Sequence, residues 1–408
     1  MLVEVNDLKG LIIDIKPDIL LSEWIELDEK YQCVFLISSD EEASLLEGVI
    51  SSRSKILIKN NSYFIKSLLK QAVNCLNLRL NQIAFVTSNP LTIQSIINEP
   101  IGTIMITQSI LYEHIGHMPD LIAPSITELK TTLENYPGYF SEVKTTIIGD
   151  NSFSDSGRIF NFNLSYDQFN INVISLGRYF GTKHHKHRIH QFSHRLRKSK
   201  TDSSQNELFW KLIVPIIKRT KYDGITRVPP RPSDERDRLG MLLSQLSMYE
   251  QINNFSDYLL CLEDFPKQKQ QANSEERRIN VRGKFRATED VVGKEILLID
   301  DIFTTGATVG ECAKTLMNKG AKSVTILVLA VNQFDSLFPV QRQPLMCPDK
   351  CGGILQLRIN KNGKGAFFGC SNFFNRTCNK ILAFNLGWRR INSSNSFNET
   401  EELEEIDF

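Results

Sequence analysis

One stretch constrains this chain more than any other: Glu295 to Ala313, EILLIDDIFTTGATVGECA. Ile296, Leu297, Leu298 and Ile299 form a short unbroken apolar run, the pattern of a strand buried on both faces of a parallel sheet. Asp300 and Asp301 follow, where that strand is expected to end. Thr304-Thr305-Gly306-Ala307-Thr308 then makes a loop of small hydroxylated residues and glycine. A helix is expected from about Val309, with Ala313, Leu316 and Met317 on one face. A strand-to-helix loop of this composition aims backbone N–H groups and hydroxyls at one anion, at the positive end of the helix dipole. The carboxylates cannot take that anion. They suit the hydroxyls of a sugar or, indirectly, a divalent cation. A phosphorylated sugar satisfies both halves of the stretch. The competing readings are a nucleotide-hydrolase strand and a plain buried strand with a helix cap. The sequence has no G-x-x-x-x-G-K-[ST] segment, so the hydrolase reading lacks its partner motif.

The same stretch resembles the phosphoribosyl-diphosphate (PRPP) loop of type I phosphoribosyltransferases, and every position of that motif is filled. The resemblance implies that Asp300 and Asp301 hold the ribose 2′- and 3′-hydroxyls. It implies that Thr304, Thr305, Gly306, Ala307 and Thr308 hold the 5′-phosphate, with Mg2+ accompanying PRPP. Upstream, Tyr222 to Pro232 reads as a strand ending in a proline-rigid turn, a geometry able to present backbone to an anion. The family places a diphosphate loop there, which points to Pro229, Pro230 and Arg231, with Arg236 in reach. Arg277 to Phe285 completes three blocks in the family's order, in wording similar to its competence-protein-F-like branch. Displacing diphosphate from C1 of ribose builds positive charge on the ring, as in glycoside cleavage. Fixed hydroxyls and cationic groups on the leaving diphosphate then matter more than a nucleophile or general base. The acceptor, a base or another group, is not identified.

At 408 residues the chain suits two or three domains, and a formal net charge of +1 gives no overall preference for polyanions. No apolar run approaches a membrane span and no signal peptide is evident, so a cytoplasmic protein is expected, with room for an oligomer. Residues 1–138 alternate apolar runs (Leu11–Asp14, Cys33–Ile37, Ile83–Val86, Thr103–Ile106) with helical patterns such as Ser62 to Leu76, the signature of an open, doubly wound α/β sheet. The order of pieces resembles haloacid-dehalogenase (HAD) hydrolases, with Asp14, Ser38-Ser39, Lys66 and a helix lead-in at Pro119-Asp120. Lys16 stands where that family has its acid/base, and Thr87-Ser88-Asn89 where it has metal-binding acids. Asp18 substitutes only if the loop bulges. The expectation is a HAD-like module without catalysis, the alternative an unrelated doubly wound domain.

Residues 139–340 read as the transferase body, a parallel-sheet domain, with a strand over Ile171–Ile174. Lys183 to Lys200 holds seven Lys/Arg and five His, and His187, His190 and His194 share a face if it is helical. A solvated basic face is expected there, with phosphate or nucleic-acid contact as the sharper reading and metal binding as the weaker. Residues 264–290 are polar and charged, as in a mobile lid. Residues 345–385 carry Cys347-x3-Cys351 and Cys370-x7-Cys378, flanking strands at Leu355–Ile359 and Gly365–Phe368, with Gly352-Gly353 in a turn. Four thiolates suit one closed tetrahedral Zn2+, which would supply the folding energy of so small a unit. The wording resembles the zinc ribbons of type IA DNA topoisomerases. That implies single-stranded DNA on Phe367, Phe373, Phe374, Arg376 and Lys380; the alternative is that these phenylalanines pack the ribbon onto the transferase. Residues 386–408, Asn/Ser-rich and then acidic, are expected to be disordered.

Overall fold

The computed structural model describes residues 8–14, 21–59, 65–134, 160–266, 274–334 and 347–384, leaving out positions 98, 100, 109, 182, 183, 185, 186, 188, 189, 348, 350, 354, 360–365, 374 and 375. The expected acidic tail, Lys16, Asp18 and Phe374 lie outside the described residues.

Two six-stranded sheets organise the chain. The first contains β1 (Gly10–Asp14), β2 (Gln32–Ile37), β3 (Lys55–Ile58), β4 (Ile83–Thr87), β5 (Gly102–Ile106) and β6 (Leu121–Ala123). Its order is β3-β2-β1-β4-β5-β6, with every pairing parallel. Helix Ile65–Leu76 lies within the expected Ser62 to Leu76 and ends with it, residues 60–64 being outside the described set, and β3 and β6 are additions to the expected strands. Residues following Pro119 form β6 before helix Ile126–Glu134 starts, so the expected helix lead-in contains a short strand. Leu121 and Ala123 are buried and so extend the sheet by one edge.

The second sheet contains β7 (Phe160–Tyr166), β8 (Phe169–Ser175), β9 (Arg178–Phe180), β10 (Gly224–Arg227), β13 (Glu295–Phe303) and β14 (Ser323–Gln333), ordered β10-β13-β14-β8-β7 with β9 also beside β14. All its pairings are parallel except the β7–β8 hairpin. In β7, Phe160, Phe162, Leu164 and Tyr166 are buried and the residues between them exposed, a strict period of two. Ile296 to Ile299 of β13 are buried on both faces. Ile296 and Leu298 join a core that also takes in Leu11, Ile13 and Val86 of the first sheet. Leu297 and Ile299 pack under helices Gln191–Lys198, Asn206–Arg219 and Arg238–Glu250. The strand runs on through the acid pair to Phe303, because Asp300, Ile302 and Phe303 keep their ladder partners on β14.

The expected lid is largely structured. Helix Ser274–Val281 and strand β12 (Phe285–Ala287) occupy it, β12 pairing antiparallel with β11 (Leu259–Cys261) just before it, with Val281, Phe285 and Ala287 buried; residues 267–273 lie outside the described set. Their apolar side chains supply an anchor that the charged composition around them conceals. The ends of the sheets meet in a polar joint. Gln333 donates to the Ile115 carbonyl at 3.0 Å and accepts from Met118 N–H at 2.8 Å. Arg178 pairs with Asp120 at 3.0 Å, both nearly fully buried. No helix among the described residues is long and apolar enough to cross a membrane.

Candidate functional site

The acid pair lies at the C-terminal end of β13, and the chain turns through Thr304, Thr305 and Gly306 into helix Ala307–Asn318. The helix starts two residues earlier than its apolar spacing suggests. Gly306 caps it at φ +70°, and a Cβ there would stand 2.6 Å from the Phe303 ring, so only glycine fits. Gly310, one turn on, lies against Tyr166, where a Cβ would stand 2.3 Å from the ring. Helix and strand therefore close on each other without a gap, and the loop between them is tight. Asp301 N–H donates to Asp300 at 2.8 Å and Ile302 N–H to Asp301 at 2.7 Å, so each carboxylate is held against the amide that follows it.

Two cations, missed by motif reading, converge on Asp301: Lys200 at 3.3 Å and Arg238 at 3.4 Å, both on Oδ2. Lys200 closes the basic stretch and Arg238 opens helix Arg238–Glu250, so the signal was positional and invisible in spacing. The pair is electrostatically split. Burial, and next the Asp301 charge, push Asp300 up to about 8. Burial would raise Asp301 as well, but Lys200 and Arg238 outweigh it and hold it below the usual carboxylate range. A pair in which one carboxyl is raised and the other already faces two cations is a poor direct ligand set for Mg2+.

The proline turn leaves the sheet beside the acids. Arg227 of β10 is level with Ile299, and Val228 N–H donates to the Ile299 carbonyl at 2.9 Å, which sets Pro229, Pro230 and Arg231 next to Asp300 and Asp301. Arg227 holds this turn through Asp237 at 2.6 Å, and Asp237 caps the Arg238 helix by accepting from Gly240 N–H at 2.7 Å. Arg231 faces inward on its own turn. It binds Asp234 at 2.5 Å and the Phe265 carbonyl at 3.1 Å, whereas Arg236 is exposed.

The histidine-rich stretch corrects an expectation. His184, His187 and His190 are buried around Phe180 instead of forming a solvated helical face, and the helix begins only at Gln191. His187 Nδ1 lies 2.7 Å from the Phe180 carbonyl, and the His184 and His190 rings meet Phe180 edge-on, each at 4.7 Å. Aromatic packing is what the polar composition hides. In the first sheet, Asp14 ends β1, where Lys59 pairs with it and the Thr87 and Thr92 hydroxyls approach at 3.4 and 3.5 Å. Among the described residues Lys59 is the lysine at Asp14; the side chain of the expected Lys66 is outside the described set.

Cys347, Cys351, Cys370 and Cys378 converge, with their sulfurs within 4.8 Å of one another, and the eight cysteines of the chain are all free thiols. Cys347 and Cys378 stand 3.6 Å apart and Cys351 and Cys370 3.4 Å, near the roughly 3.8 Å edge of a tetrahedral zinc–thiolate site. Gly353 N–H donates to Cys351 Sγ and Asn372 N–H to Cys370 Sγ, both at 3.4 Å, as backbone amides do to sulfur bearing negative charge. The donor set fits a structural metal. Strands β15 (Leu355–Ile359), β16 (Ala366–Cys370) and β17 (Ile381–Phe384) form one antiparallel sheet, one strand more than the expected hairpin.

Comparison with known proteins falls on the same region. Residues 260–350 match the phosphoribosyl transferase domain. The chain is 40% identical over 53 residues to the DNA utilization protein YhgH of Escherichia coli O157:H7, covering 13% of this chain and 23% of that protein. It is 39% identical over 66 residues to ribose-phosphate pyrophosphokinase 2 of Archaeoglobus fulgidus, covering 15% and 24%. The chain thus spans about a quarter of the curated relatives it matches. Against solved structures, the GsuK channel bound to NAD superposes at a TM-score of 0.20 with 11% identity over 79% of this chain and 62% of that one, too loosely to bear on the fold.

Proposed function

We propose that the chain binds PRPP at the end of β13 and transfers phosphoribose to an acceptor. The observation that carries this reading is the continuous sequence of strand, acid pair, tight Thr-Gly turn and helix, inside the segment that matches the phosphoribosyl transferase domain. Asp300 and Asp301 accept hydrogen bonds from the ribose hydroxyls and fix the ring. Thr304, Thr305, Gly306, Ala307 and Thr308 surround the 5′-phosphate with backbone N–H groups and hydroxyls at the start of a helix. The diphosphate then lies toward Pro229 and Pro230, where Arg238 and Lys200 move onto it as the sugar hydroxyls replace them on Asp301. Mg2+, carried in on the diphosphate, neutralises leaving-group charge when bound. The four thiolates hold one structural Zn2+. Residues 1–138, 139–340 and 345–385 are proposed as HAD-like, transferase and ribbon domains. The test is diphosphate release from PRPP with a panel of nitrogenous bases: release lost in Asp301→Asn supports transfer.

A second reading has one observation behind it, the similarity to a DNA utilization protein. Here the site senses a phosphosugar or nucleotide, and the ribbon and basic stretch hold single-stranded DNA. Absence of release with every base, together with salt-sensitive DNA binding that needs residues 345–408, selects this reading.

A further inference from the structure

We propose that Tyr112, from the segment joining β5 to β6 of the first sheet, is a positioning residue for the phosphate loop: it holds the Thr305–Gly306 peptide so that its N–H faces the ligand phosphate. The inference rests on the phosphosugar reading of Thr304 to Thr308. The Tyr112 hydroxyl donates to the Thr305 carbonyl at 2.7 Å, across 193 positions of sequence. Its ring stands edge-on to Phe303, with centroids 6.3 Å apart, and Phe303 is buried against Phe162 on its other side at 5.1 Å. Phe303 is also the ring that forbids a side chain at Gly306. Tyr112 therefore touches the loop twice, once through packing beneath it and once at its backbone.

The consequence follows from peptide geometry. In a trans peptide the C=O and the N–H point to opposite sides of the chain. A carbonyl held toward Tyr112 leaves the Gly306 N–H turned the other way, toward the space over the helix N-terminus. Without the hydroxyl, a glycine at φ +70° lets that peptide rotate freely. Tyr112 is itself well fixed. It begins the 3-10 helix Tyr112–His117, whose far end is tied to the second sheet. Gln333 bonds the Ile115 carbonyl and the Met118 N–H, and Phe334 N–H donates to the Gly116 carbonyl at 2.9 Å. Gly116 lies so close to the Phe334 ring that a Cβ would stand 2.3 Å from it. Burial raises the Tyr112 phenol, against a smaller lowering by Arg278, so it remains a donor throughout the working pH range. On this account the first sheet contributes to the site by orienting one backbone amide in the second.

The experiment compares full-length wild type and Tyr112→Phe by calorimetric titration with ribose 5-phosphate and, separately, with magnesium diphosphate, alongside thermal unfolding. The variant keeps the ring contact with Phe303 and loses only the hydroxyl. Expected is a weakening for ribose 5-phosphate of about three- to tenfold, the effect of one neutral hydrogen bond, with magnesium diphosphate affinity unchanged and the unfolding midpoint lowered by no more than the loss of that one bond. Unaltered ribose 5-phosphate affinity overturns the inference. Equal weakening of both ligands with a lowered midpoint also overturns it, by reducing Tyr112 to a structural contact. If wild type itself fails to bind ribose 5-phosphate, the phosphosugar reading falls first and takes the inference with it.

Discussion

Ligand binding should expel a proton from Asp300. The carboxyl is pushed up to about 8 by burial and by the adjacent Asp301 charge. In the ligand-free chain it therefore stays largely protonated at neutral pH. Sugar hydroxyls donate to carboxylates, and ribose 5-phosphate brings no diphosphate to draw Lys200 and Arg238, which lower Asp300, away from the pair, so the bound state favours two ionised acids. Ribose 5-phosphate should then release a large fraction of a proton near neutral pH, whereas its own phosphate, ionising near pH 6, contributes little at pH 7.5. Titration calorimetry in buffers of different ionisation enthalpy reads that fraction as a slope. The affinity should rise with pH through the neutral range and level off once Asp300 is ionised in the free chain. Asp300→Asn should abolish the slope. A wild-type release below about 0.2 proton, or an equal slope in the variant, refutes the reasoning, because the raised carboxyl would then stay protonated under the ligand. Stability of the ligand-free chain runs in the opposite sense. A carboxyl raised in the folded state contributes stability in full below its unfolded pKa, near 3.9, and loses it as pH climbs to about 8.

Three other outcomes are expected. Gly306→Ala places a Cβ on the Phe303 ring at a left-handed φ, and should cost at least tenfold in ribose 5-phosphate affinity, read by the same calorimetry, with loss of about 1–3 kcal/mol in denaturant unfolding. Arg178→Met removes the buried Asp120–Arg178 pair and should lower unfolding free energy by about 3–5 kcal/mol, whereas adding Asp120→Asn, which removes the buried charge and can still accept from Thr103, should recover part of it. The purified chain should hold one zinc, measured by elemental analysis, and Cys370→Ser should release it while leaving ribose 5-phosphate binding intact.

The legible parts of the sequence were those with a local period or a local motif. Ile296 to Ile299 announced a doubly buried strand because four consecutive apolar residues have no polar face to show water, and the Thr-Gly turn follows from them directly. The cysteine spacing gave the ligand cluster for the same reason: its members are close in sequence and chemically distinctive. Illegible features depend on contacts across long separations. Lys200 and Arg238 lie 101 and 63 positions before Asp301 and belong to no motif. Histidines 184, 187 and 190 resembled a solvated basic face because charge dominates their stretch, yet Phe180 and Phe192, both fully buried, decide where it packs. The acids seemed to follow the strand because aspartate is a poor strand former; ladder bonds to β14 override that preference.

The joint between the sheets separates two explanations of why they share a chain. If the first sheet served only its own site, the surface at its β6 edge could be joined by apolar packing, which is cheaper than burying charge. Instead Asp120 accepts from Thr103 N–H at 2.9 Å and its hydroxyl at 2.8 Å through one oxygen and from Arg178 through the other, and Arg178 also donates to the Met118 carbonyl at 3.3 Å. Such an arrangement gives little net stability but admits one register, since any slip strands a buried charge. One register is what a hydroxyl reaching the Thr305 carbonyl requires. Meanwhile the carboxylate at the end of the central strand β1, Asp14, is already paired with Lys59 and faced by two hydroxyls. The polar groups of the first sheet that are placed with most constraint are thus those at its border with the second, and it is there that substitutions should be felt by the ligand.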